Sequence, residues 1–204
     1  MGVDKVILRA FLSTLAAIVT LFAFMLAVLI GIYPSTMMEI TYDLGIESSS
    51  IKYAERAYDW SKNEYYMAYA MNVAIEANDY ENIVYCGEKL IADEDFLAYC
   101  AQETEKMPEN VKMSYEQYVY GQVCVAEYTK GEKENAVNRA LTLALKDGAF
   151  PQNNALIAVI YAAITANDTA SVSMIREKMN QQQIDTLSDT DKAYFGQALG
   201  IVSE

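Results

Sequence analysis

Histidine is absent from the chain of 204 residues. Its absence removes the imidazole that Ser-His-Asp and Cys-His catalysis need, imidazole-ligated zinc, and charge switching near neutral pH. Cysteine is scarce: Cys86, Cys100 and Cys124 stand apart with no Cys-x-x-Cys spacing, which excludes a zinc ribbon and a thioredoxin-type motif. An odd count suits a disulfide framework poorly. The three are expected to be small buried hydrophobes, with one bridge such as Cys86 to Cys100 as the alternative in an exported domain. Proline occurs only at 34, 108 and 151, each at a break between apolar-periodic segments. Basic side chains are outnumbered, 15 against 28 acidic, for a net charge of −13, and all but Asp4, Lys5 and Arg9 of these lie in residues 34–204. Such a surface repels nucleic acid and anionic headgroups, so a nucleic-acid partner is not expected and the acidity reads as solubilising. No motif points to a cofactor, a metal or a small-molecule substrate.

Against these absences stands one long uncharged run, Ala10 to Tyr33, opened by Lys5 and Arg9 and closed by Pro34. As a helix it reaches about 36 Å, enough for a hydrocarbon core of about 30 Å with some tilt. It is too long for a signal h-region and lacks a small-x-small cleavage site, so an uncleaved signal anchor is expected. Lys5 and Arg9 lie on one side, while only Lys52 falls within about 20 residues of the other, which places the N-terminus in the cytoplasm and residues 34–204 outside it. Within the run, Ala10, Ser13, Ala17, Thr20, Phe24, Ala27 and Gly31 share a stripe, six of the seven small. That face would let another transmembrane helix, from a partner or a second copy, approach closely.

The expected organisation is a tip over 1–9, a transmembrane helix over 10–33, a membrane-proximal linker over 34–48 and one all-α domain over 49–204. In the linker, Thr36-x-x-Glu39 is a candidate capping box for a short helix over 36–44, stopped by Gly45, with Glu47 to Ser50 as hinge and N-cap. Beyond it, periodicity predicts helices near 50–61, 63–77, 80–91, 95–106, 112–129, 133–146, 152–166, 169–181 and 189–202. The joints are short: Asn78-Asp79, Gly131, Asp147-Gly148, Asn167-Asp168 and a cap over 188–191. No segment alternates long enough to claim a strand.

Three stretches share one plan. Tyr65 to Asp93, Tyr118 to Asp147 and Asn154 to Asn180 each have a first helix, a tight turn at Asn78-Asp79-Tyr80, Gly131-Glu132-Lys133 or Asn167-Asp168-Thr169, and a second helix with spaced apolar positions such as Ile83, Gly87 and Leu90. In this plan the chain resembles the tetratricopeptide-repeat family, whose units of about 34 residues pair two antiparallel helices. The interval from Gly131 to Asn167 is close to that period, and the longer one before it must hold the extra helix near 95–106. The family's Trp-Leu-Gly-Tyr signature is absent, and Arg176 stands at a position expected to be apolar or small.

The resemblance implies helix pairs stacked as an α-solenoid, because a pair cannot bury both apolar faces alone. It also implies a groove lined by the first helices, with Tyr65, Asn72, Tyr118, Tyr128, Asn154 and Tyr161 at the lining positions, where tyrosine suits peptide recognition. The acidic groups Asp93-Glu94-Asp95 and Asp185, Asp189 and Asp191 lack the order of a calcium loop and are expected to cap helices. Asn167-Asp168-Thr169 matches a glycosylation acceptor. The expected function is a non-enzymatic, membrane-anchored protein-interaction module, a scaffold, assembly factor or chaperone-like accessory. The alternative is a structural subunit of a larger membrane complex held mainly through its transmembrane helix.

Overall fold

The computed structural model describes residues 3–111, 113–144 and 154–201. The chain divides into two compact units, Met1–Tyr66 and Met67–Glu204. Among the described residues every regular element is helical.

The first unit begins with α1 (Val3–Ile32). From Lys5 to Ile32 it is long and apolar enough to cross a membrane, and its side chains from Lys5 to Ala27 are all exposed. The hydroxyls of Ser13 and Thr14 donate to the Ala10 carbonyl and that of Thr20 to the Ala16 carbonyl, each at 2.9 Å, so the polar groups of the span are satisfied within the helix.

Helix α2 (Pro34–Asp43) starts at Pro34, where a missing N–H costs nothing. The capping box expected at Thr36 and Glu39 therefore does not form: the helix is already under way there, and no side chain caps it. At its end Gly45 takes φ +70°, Gly45 N–H donates to Tyr42 and Ile46 N–H to Thr41, both at 2.8 Å, a Schellman closure. This closure leaves no room for the expected hinge over 47–50. Helix α3 (Glu47–Ser61) begins at once, and Ser50 is buried in it, donating to the Met38 carbonyl at 2.9 Å. The α2–α3 hairpin buries Met37, Met38 and Thr41 on one side and Ile51, Ala54, Ala57 and Tyr58 on the other.

The division between units falls within α4 (Glu64–Glu76). The second unit continues with α5 (Tyr80–Ile91), α6 (Phe96–Lys106), α7 (Tyr115–Lys130), α8 (Lys133–Leu143), α9 (Asn154–Thr165), α10 (Thr169–Lys178), α11 (Gln181–Asp185) and α12 (Asp189–Phe195). The expected ends at 112, 145–146, 152–153 and 202, the Asp147-Gly148 joint and Pro151 lie outside the described residues.

The turns at Asn78, Gly131 and Asn167 are chemically alike. Each of these residues is left-handed, with φ +54°, +95° and +53°, and each donates its N–H three residues back. The following residue reaches back five: Asp79 to Ala74, Glu132 to Glu127 and Asp168 to Ala163, at 2.8, 3.0 and 2.9 Å. Glycine and asparagine are the residues that adopt this conformation cheaply. Asp79 and Asp168 then cap the next helices by accepting from the amides of Asn82 and Ser171.

Helix α7 is central, packing on α5, α6, α8 and α9, because apolar residues surround its axis: Tyr115, Val119, Tyr120, Val123, Cys124, Ala126 and Tyr128 are all buried. Helix α10 stops at Lys178, short of the expected 181. Met179 turns extended and Asn180 opens a capping box with Gln183 that starts α11. Helix α12 ends at Phe195, and beyond it Ile201 N–H donates to the Gly196 carbonyl at 2.8 Å beside left-handed Gly200.

Candidate protein-binding surface

A cleft of about 760 Å³ opens where α5, α7 and α8 meet. At its base Arg139, on α8, donates through Nε and Nη2 to both carboxylate oxygens of Glu127 on α7, at 3.1 and 2.7 Å, and through Nη2 to Glu88 on α5 at 2.5 Å. The Glu127 side chain is only 4% exposed. Burial raises the Glu127 pKa, and the hydrogen bonds and charge of Arg139 offset only part of that rise. Around this network the walls mix polar groups, Asn135, Asn138 and the Lys130–Glu132 pair at 3.2 Å, with the apolar side chains of Val84, Ile91 and Leu143. Neutral hydrogen-bonding groups at the rim of a fixed charge network can receive a partner's polar side chains.

Sequence reasoning missed this site. The available signal was Glu127 itself, an acid on a helix that is otherwise apolar on that side, four residues after Val123.

The six expected groove residues occupy different local environments. Tyr65 belongs to the first unit and is exposed, its ring edge-on to Tyr66. Asn72 is exposed on α4 and hydrogen-bonds Tyr115. Tyr118 is half-buried beside Tyr115, whose own ring is edge-on to Tyr99 at 5.9 Å. Desolvation raises the pKa of all three phenols, Tyr115 to about 12.

Tyr128 is buried and donates to Asp168 at 2.6 Å. Lys133 also pairs with Asp168 and lies over the Tyr128 ring, while Ser171 donates to the same carboxylate through its amide and its hydroxyl at 3.1 and 2.8 Å. Tyr128 thus works as a tie between α7 and the start of α10. Asn154 donates to Gln117 at 2.9 Å, tying α9 to α7. Tyr161 alone among the α9 candidates is well exposed, and with Ile157, Tyr194 and Phe195 it lines an apolar cleft of about 420 Å³.

The small stripe of α1, Ala10, Ser13, Ala17, Thr20, Ala27 and Gly31, runs along a helix exposed through Ala27 and half-covered at Gly31. Of the acidic residues expected to cap helices, Asp93 accepts from the Asp95 amide at 3.0 Å, but Asp95 itself makes no capping bond. Asp189 and Asp191 lie in the first turn of α12, which Ser188 caps. Asp185 instead ends α11 and accepts from Gln181. The three cysteines are buried and form no disulfide, and desolvation pushes Cys100 and Cys124 up to about 12. Asn167 is exposed at its turn.

Among the described residues these features define a helical protein with one candidate membrane-spanning helix, at the N-terminal end. The chain matches no known protein family, no curated protein and no solved structure.

Proposed function

We propose that this is a non-catalytic, single-pass membrane protein whose acidic helical part binds another protein, as a scaffold, assembly factor or chaperone-like accessory. In this reading residues 1–9 lie in the cytoplasm, the helical part lies outside it, and the pairs α4–α5, α7–α8 and α9–α10 stack in the manner of a tetratricopeptide-repeat solenoid. The observation that carries the reading is α1, an exposed apolar helix over Lys5–Ile32 attached to helical units with cores of their own. An apolar surface of that extent calls for lipid or protein around it.

Support for protein binding comes from the α5–α7–α8 cleft and from the exposed rings of Tyr161 and Tyr194. The shared turn chemistry at Asn78, Gly131 and Asn167 supports a helical hairpin at each of those three joints. The lack of histidine and the use of carboxylates in caps and ion pairs support a non-catalytic role.

The test is affinity capture of the full chain from mild detergent, quantified against an unrelated single-pass protein. Variants Glu132→Gln with Asn138→Ala probe the first cleft, and Tyr161→Ala with Tyr194→Ala probe the second. A specific partner lost in either pair supports the module and locates its surface; no specific enrichment refutes it. Replacing α1 by an unrelated span addresses the alternative of a structural subunit, which the small stripe favours because its hydroxyls are already satisfied. Partner loss on that replacement moves the interface into the membrane. Protease added to sealed vesicles of known orientation tests the assignment of sides.

A further inference from the structure

The α2–α3 hairpin carries exposed apolar side chains with no protein cover. Trp60 is 58% exposed and Leu44 is 68% exposed, and Ile40 and Ile46 are exposed beside Leu44. On α3, Tyr53, Arg56 and Trp60 follow at i, i+3 and i+7, so they share a face, with Lys52 one turn before Arg56. The Arg56 guanidinium lies 5.8 Å from the centroid of the Trp60 ring. This face thus carries two cations and two aromatic rings, flanked by the carboxylates of Glu55 and Asp59.

The position of that face follows from the hairpin. Only Tyr33 separates α1 from α2, and the Tyr33 and Met37 amides donate to the Leu29 and Tyr33 carbonyls at 2.9 and 3.2 Å, so the helical hydrogen bonding runs on from α1 into α2. The Ser50–Met38 hydrogen bond sets the register of the antiparallel pair. Counting outward from it, α3 returns to the level of Pro34 at Ala54, and Trp60, six residues on, lies about 9 Å beyond that level, at the height of the last turns of α1. Lys5–Ile32 reaches about 42 Å against a hydrocarbon core of about 30 Å, so those last turns stand in the headgroup zone. The headgroup zone is about 5–7 Å deep on each side of the hydrocarbon, and tryptophan, tyrosine and basic side chains with apolar stems concentrate there.

We infer that the α2–α3 hairpin rests on the lipid surface where α1 emerges, with the Trp60 ring among the headgroups and Lys52 and Arg56 against their phosphates. The partner is an anionic phospholipid surface. This rests on α1 spanning the bilayer, but it adds a second, surface-bound contact that the span does not require. The hairpin would then hold the first unit close against the membrane instead of leaving it on a free tether.

Trp60 is the only tryptophan in the chain, so its fluorescence reports this site in the unmodified protein. The full chain is reconstituted into phosphatidylcholine vesicles with and without phosphatidylglycerol. Emission is measured with aqueous iodide and with lipids brominated at shallow or deep acyl positions, and membrane integration is checked by alkaline extraction. The expected result is a blue-shifted emission, quenched more by shallow than by deep bromines and shielded from iodide, with a larger shift in anionic vesicles. In Lys52→Glu with Arg56→Glu, the dependence on anionic lipid disappears.

Alkali-resistant protein whose Trp60 is quenched freely by iodide and not by bromolipid overturns the inference and leaves the span intact. Protection from both quenchers means that protein covers the ring, and overturns it too. Release by alkali refutes the span itself, and the hairpin's seat with it.

Discussion

Gly87 offers the sharpest test of the packing. It lies within α5 facing α7, and a Cβ built on it would sit 2.3 Å from Val123 Cγ2 and 3.5 Å from Met71 Sδ. Carbon atoms pack at about 3.5–4.0 Å, so the first distance is short by more than 1 Å. Val123 cannot step aside easily, because a β-branched side chain in a helix has one strongly preferred rotamer. Overpacking of this kind costs about 1–3 kcal/mol, and the rigidity of Val123 puts Gly87→Ala near the top of that range. Alanine recovers about 1 kcal/mol of helix propensity, leaving a net loss of about 2 kcal/mol. For a unit of this size that lowers Tm by about 4–8 °C.

The assay is thermal unfolding of the full chain in detergent, followed by circular dichroism, for Gly87→Ala, Val123→Ala and the double variant. Val123→Ala removes the offending methyl groups, so in that background Gly87→Ala is expected to be neutral or stabilising. The coupling between the two changes is then about 2 kcal/mol. If Gly87→Ala stabilises the otherwise unaltered chain, or costs the same in both backgrounds, α5 and α7 do not approach as described.

Removing the cation from the base of the cleft, by Arg139→Met, strands a nearly fully buried Glu127 and is expected to cost about 2–3 kcal/mol in chemical denaturation, with Glu127→Gln on the same chain recovering part of the loss. Asp168 accepts from Lys133, Tyr128 and Ser171, which holds its carboxyl well below the usual range. Its stabilising contribution is therefore complete above the unfolded value of about pH 3.9 and declines in more acidic solution as pH falls towards the lowered folded value. Asp168→Asn should unfold more easily at neutral pH, with a shallower loss of Tm below about pH 4, and an unchanged acid limb would refute the tie. Cys100 and Cys124, buried and pushed up to about 12, should react with a thiol reagent only at the rate of unfolding, whereas fast labelling in native protein would contradict their burial.

Local rules carried much of this molecule. Twenty-four uncharged residues define a helix whatever surrounds them, and the turns at Asn78, Gly131 and Asn167 were readable because a left-handed residue between two periodic segments has few chemical solutions. Where the expected boundaries failed, the cause was also local but finer. Pro34 started α2 two residues before the expected capping box, and the Schellman closure at Gly45 left no length for a hinge.

The sequence by itself determined the helices, most of their limits, the long apolar N-terminal helix and the excess of acidic side chains, because each follows from residue type and spacing within a few turns. Only the tertiary structure decided which tyrosines face water. Tyr128 and Tyr161 look alike on an amphipathic helix, yet one is buried against Asp168, 40 residues away, and the other is exposed. It also decided that Arg139 joins Glu127 and Glu88, 12 and 51 residues distant, at the base of a cleft. Such partnerships depend on how far one helix slides along another, and helical periodicity carries no information about that offset.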